Sequence, residues 1–106
     1  MNAYGMHYIR TLPFQHRINY ATQIKSLGEH LALVISCSIW YPTEYKCLIV
    51  NKNQTLIDMV QHIKDIPNTN LSAFDGVNKD NYALDSKIKN IHEKNDGTRY
   101  VHFVVI

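Results

Sequence analysis

LALVISCSIWYPTEYKCLIV, residues 31–50, decides how the chain is read. Leu31, Leu33, Ile35, Cys37 and Ile39 recur at every second position, the period that lines one face of a β-strand. Tyr41-Pro42-Thr43-Glu44 supplies turn chemistry, since proline presets its own φ and has no N–H to give a ladder. Tyr45 to Val50 then resumes an apolar, partly β-branched run. Two such runs joined by a short turn predict an antiparallel hairpin.

Towards the C-terminus the period changes. Thr55 is placed to cap a helix through its hydroxyl, with Asp58 three residues on near the positive end of the helix dipole. Leu56, Met59, Val60 and Ile63 fall on one helical face, and Asp65 and Pro67 close the segment. Leu71-Ser72-Ala73-Phe74 reads as a brief strand that ends at Asp75-Gly76. Ala83 to Ile88 gives a turn or single coil, Asn95-Asp96-Gly97 breaks the chain, and Tyr100 to Ile106 is β-rich and apolar on both faces apart from His102. The order is ββαββ, for which a helix packed across a mixed sheet is the compact solution, with the last strand pairing alongside the first.

Towards the N-terminus the character differs. His7 to Leu12 alternates loosely and stops at Pro13, as an edge strand does. Tyr20, Ile24 and Leu27 mark one face of a short helix that Gly28 can end. Residues 1–30 therefore read as an N-terminal extension of one strand and one helix, and residues 31–106 as the main domain.

The quoted pieces resemble the ubiquitin family. Leu48-x-Val50 followed by Thr55-Leu56-x-x-Met59-x-x-x-Ile63-x-Asp65 is similar to that family's second strand and Thr-capped helix. Leu71 to Gly76 resembles its third strand with the terminal Gly turn, Tyr82-Ala83-Leu84-Asp85-x-x-Ile88 its crossing segment, and Val101-His102-Phe103-Val104 its final strand. The resemblance implies an α+β fold of the ubiquitin-like β-grasp type, a mixed sheet with one packed helix, extended at its N-terminus by the strand and helix above. It also implies a role in binding rather than catalysis. The sequence departs from the conjugated members, which end in a flexible Gly-Gly arm, because it closes on Val105-Ile106 inside the strand; a non-conjugated member is expected. The surface patch that receptors read in the family maps to Ala73, His102 and Val104, and alanine at its centre predicts poor binding to ordinary ubiquitin receptors.

The chain of 106 residues carries 45% hydrophobic and 19% charged residues, which suits one folded domain. Its formal net charge of +2 lies far from the dense basic footprint of dedicated nucleic-acid binders. Cys37 and Cys47 fit neither a disulfide framework nor a metal knuckle, and the expectation is two buried free thiols in a reducing compartment. Residues 1–20 lack a cationic start followed by an apolar stretch, and the apolar run at 31–40 is too short to span a bilayer. An intracellular protein, cytoplasmic or nuclear and away from membranes, is expected.

His7, His16, His30, His62, His92 and His102 are scattered without metal-ligand spacing, and no nucleophile–base pattern or phosphate-cradling loop is visible. No catalytic residue, metal or cofactor is therefore assigned. Candidate partner contacts are Trp40 and Tyr41 at the hairpin tip, either exposed as an aromatic anchor or packed under residues 1–30, and Ala73, His102 and Val104 on the sheet. Arg10 and Arg17, interleaved with aromatic residues in a basic N-terminal segment, are the remaining candidates. The expected function is that of a non-catalytic protein–protein interaction module, a small subunit or accessory factor of a larger complex. The alternatives are a nucleic-acid-associated factor and a viral or phage effector on the same scaffold.

Overall fold

The computed structural model describes residues 9–25, 28–63, 65–67, 70–76 and 80–106. These form β1 (Ile9–Leu12), α1 (Arg17–Lys25), β2 (His30–Cys37), β3 (Lys46–Asn51), α2 (Leu56–His62), β4 (Leu71–Asp75), β5 (Asn81–Tyr82) and β6 (Arg99–Val105), with 3-10 turns at Phe14–His16 and Ile88–Asn90. The strands make one mixed sheet in the order β1-β3-β2-β6-β4-β5. The fold is α+β, with the two helices on opposite faces of that sheet.

The hairpin predicted from residues 31–50 is present: β2 and β3 run antiparallel in a register from His30↔Asn51 to Ile35↔Lys46. β6 enters beside β2 and is the one strand parallel to it, from Leu33↔Arg99 to Cys37↔Phe103. A strand flanked on both sides and covered on both faces needs apolar residues at successive positions, which is why residues 32–37 of β2 are all buried. β4 pairs antiparallel on the far side of β6, and β5, for which the sequence predicts no strand, adds two residues beyond it. Its brevity hides it, because two residues carry no period.

One face of the sheet holds the main core. Leu33, Ile35, Leu48, Val50, Val101 and Phe103 share this core with Leu56, Met59 and Val60 of α2 and Ile63 at its C-cap, and Ile88 and Ile91 belong to the same cluster. The backbone N–H of Thr55 donates to the Asp58 carboxylate at 3.1 Å, the return leg of a capping box, so this short helix is anchored where its orphan donors lie. Ile63 ends it in extended geometry.

The opposite face carries a second, smaller core. Ala21 and Ile24 of α1 sit on Ala32 and Val34 of β2 and Cys47 and Ile49 of β3, with Leu12 of β1 beside them. The helix begins earlier than its predicted face suggested and buries Ala21 rather than Tyr20, which is only half-buried. Leu27, assigned to the same face, lies outside the described residues. β1 closes the sheet edge on β3 in antiparallel register, as the alternation before Pro13 led one to expect.

Candidate functional site

α1 covers the outer face of the sheet over β2 and β3 and stops short of β6 and β4. Strand alternation then decides what is left showing. Val101 and Phe103 of β6 are buried against α2, so Tyr100, His102 and Val104 face outward. On β4 the pairs Phe74↔His102 and Ser72↔Val104 put Phe74 and Ser72 on that same side.

A groove of about 600 Å³ runs along this uncovered strip. Ser36, Tyr100 and His102 lie along it, Phe14 and Tyr45 flank it, and Lys94 and Gly76 close one end. A smaller hollow of about 270 Å³ between Phe74, Asp75, His102 and Val104 adjoins it through Gly76 and His102. A Cβ on Gly76 would approach Tyr100 Cβ to 3.2 Å, so the lack of a side chain there lets the chain cross close to the strand.

Stacked contacts set the wall nearest α1. The Phe14 and Tyr45 rings lie 5.3 Å apart at 24°, and the Arg17 guanidinium sits 4.2 Å from the Phe14 ring centre. Arg17 Nε donates to Tyr100 Oη at 3.1 Å and lies 3.8 Å from Asp96 Oδ2. Burial acts to raise the Asp96 carboxyl, but hydrogen bonds from the Thr98 hydroxyl and N–H, together with Arg17 and Lys94, outweigh it and hold the group below the usual carboxylate range. One arginine thus ties α1 to β6 and to the turn before it.

Ser36 Oγ and His102 Nδ1 lie 2.7 Å apart and share a hydrogen bond whose direction follows the imidazole tautomer. The pair does not extend into a triad: among the described residues no carboxylate hydrogen-bonds the His102 ring. At the closed end, Lys94 Nζ stands 5.1 Å from the Tyr100 ring centre and 3.9 Å from Asp75 Oδ1. The Asp75 side chain is 1% exposed and accepts from Tyr82 Oη at 3.2 Å. Burial, chiefly, raises the Tyr82 phenol above its ordinary range.

Among the residues singled out from the sequence, His102 and Val104 lie on the open face, His102 at the groove and Val104 at the adjoining hollow. Ala73 does not: at 1% exposure it faces α2 opposite Phe103, and Phe74 takes the place beside His102. Phe103 fills the core volume at that level and leaves room only for a small neighbour. Trp40 is buried in the main core with Lys46 Nζ 4.8 Å from its ring, so it is not an exposed anchor. Tyr41, beside it, is 97% exposed. Arg10 is exposed on β1, away from the groove lining, and Arg17 is committed to the contacts above. Phe14 enters the sequence reading only as one of the aromatic residues interleaved with the N-terminal charges, and Ser36, Tyr45, Phe74 and Lys94 carry no local signal beyond the parity of β6, since what faces His102 follows from register.

Among the described residues no group of three or more His, Cys, Asp or Glu side chains is placed to hold a metal ion. No described helix is long and apolar enough to cross a membrane. No family model and no curated protein matches the chain.

Proposed function

We propose that the chain is a ubiquitin-like interaction module of the β-grasp type, which holds a partner protein in the groove on its outer sheet face. The fold reading draws support from strand order: with β1 set aside, β3-β2-β6-β4-β5 around a parallel central pair, crossed by α2, is the arrangement expected of a β-grasp. The observation that carries the functional reading is the groove itself. It is open, flanked by Phe14, Tyr45 and Tyr100, and left uncovered by α1, and aromatic side chains at a concave surface are the common anchors of protein interfaces. A non-catalytic role fits Ser36: it lies inside β2 between two paired neighbours, so its local N–H groups serve the ladder rather than an oxyanion.

A nucleic-acid role draws less support, because Arg17, the natural cation of a basic α1, is engaged by Asp96, Tyr100 and Phe14. The test is affinity purification of the tagged chain, with partners identified by mass spectrometry. A Tyr45→Ala, Phe74→Ser double variant with unchanged circular dichroism should lose the partners, and a Tyr41→Ala variant should keep them. Equal recovery by the double variant would rule the groove out as the contact.

A further inference from the structure

Among the described residues that line the groove, Lys94 is the one with an ammonium or guanidinium side chain, and its surroundings leave it poorly served. Its side chain is only 15% exposed, yet among the described residues the ammonium has no hydrogen-bond acceptor. It has a ring face at 5.1 Å and a carboxylate oxygen at 3.9 Å, which is an ion-pair distance longer than a hydrogen bond. An ammonium has three donors and is strongly hydrated, so withdrawing it from water without acceptors is costly unless something else supplies them.

The negative charge that balances Lys94 is out of reach of a ligand. Asp75 is buried behind it and shared with Tyr82. Asp96 is turned to Arg17 and Thr98. Glu93 pairs with Arg99 at 3.5 Å, and Glu44 and Asp80 are exposed and outside the lining. Among the described residues no carboxylate side chain lines the groove, and Asp75, which borders the adjoining hollow, has its side chain 1% exposed, whereas Lys94, the imidazole of His102 and the hydroxyls of Ser36, Thr43 and Tyr45 line the groove. Such a surface discriminates by charge: a carboxylate gains donors at Lys94, and a cation placed there is repelled.

We infer that the occupant of the groove is an acidic peptide segment of the partner, with an Asp or Glu carboxylate on Lys94 Nζ and a neighbouring apolar or aromatic side chain among Phe14, Tyr45 and Tyr100. The inference rests on the groove being the docking surface. It adds the partner's chemistry.

The experiment is selection of a displayed random peptide library on the full chain, followed by affinity measurements with synthetic peptides of the enriched sequences. Enrichment of Asp or Glu next to an aromatic or aliphatic residue is expected. In those peptides the acid-to-amide change should weaken binding to the parent chain by about tenfold, the scale of one charge-assisted hydrogen bond. The same change should have little effect on binding to Lys94→Gln, and Lys94→Arg should keep most of the discrimination, which separates the loss of charge from a failure to fold. Neutral or basic peptides that depend on Tyr45 and Phe74 but ignore Lys94→Gln would overturn the acidic occupant and leave the groove standing. Recovery of no peptide sensitive to Tyr45→Ala, Phe74→Ser would overturn both.

Discussion

Cys47 lies in β3 between Leu12 of β1 and Val34 of β2, wholly buried under α1. Burial pushes its thiol up to about 11, with Arg17 acting in the opposite direction. Thiolates are the reactive form, so Cys47, and Cys37 buried on the other face, should resist a thiol-specific disulfide reagent in the native protein and react in denaturant. The folded-state value lies above the unfolded one, so the contribution of Cys47 is complete below pH 9 and lost as pH rises towards 11. Denaturant titrations should therefore show a shallower alkaline loss of stability in Cys47→Ala than in the parent. Asp96 has the opposite sign. Its carboxyl is held down, so its contribution is present above the ordinary value of 3.8 and lost as pH falls. Asp96→Asn should lower stability by about 0.5–1 kcal/mol at neutral pH, the scale of a turn hydrogen bond to an ionised acceptor. Thermal melts of the two proteins should converge in acid; a constant offset down to pH 2 would assign the loss to packing.

At the scale of elements, the two helices are held by different means. α2 has its capping box and three core residues, so Asp58→Ala should cost about 1 kcal/mol and Met59→Ala about 2–5 kcal/mol in denaturant unfolding, the first by exposing an orphan donor and the second by opening a cavity. α1 buries two small stretches of side chain and depends on Arg17 for its grip on β6. Arg17→Ala should speed hydrogen exchange across α1 while leaving α2 protected, because opening of a weakly held element need not be global. The sequence shows the difference in part. Leu33, Ile35, Leu48 and Val50 alternate long enough to declare their face, and Met59 to Ile63 keep helical spacing. Leu71 to Phe74 gives no such signal, since apolar residues fall on both parities, and the small residue, Ala73, is the one that faces in because Phe103 already occupies the core beside it. The burial of Trp40 is not legible for a related reason: it follows the strand, where period ends. The groove is less legible still, because Phe14, Tyr45, Lys94 and Tyr100 come together only once α1 has been laid on the sheet.

Across the whole molecule, one sheet serves two cores. β2 and β3 send alternate residues to α2 and to α1, so neither face can be left bare without exposing Ala32, Val34, Cys47 and Ile49 or their counterparts opposite. A chain truncated before β2 should aggregate or unfold without cooperativity, and Val34→Thr with Ile49→Thr should restore solubility; a soluble truncation with an unchanged, sharp urea transition would show that α1 is dispensable. The parallel pairing of β2 with β6 has a further consequence, for the order of events during synthesis. The bond between Ser36 and His102 joins positions 66 residues apart, and β2 has no partner on that side until β6 has been made. A nascent chain still lacking that strand therefore presents an unpaired, mostly apolar strand edge, the feature that recruits chaperones and invites mispairing. The centre of the sheet, its most protected part once folded, is the last to close.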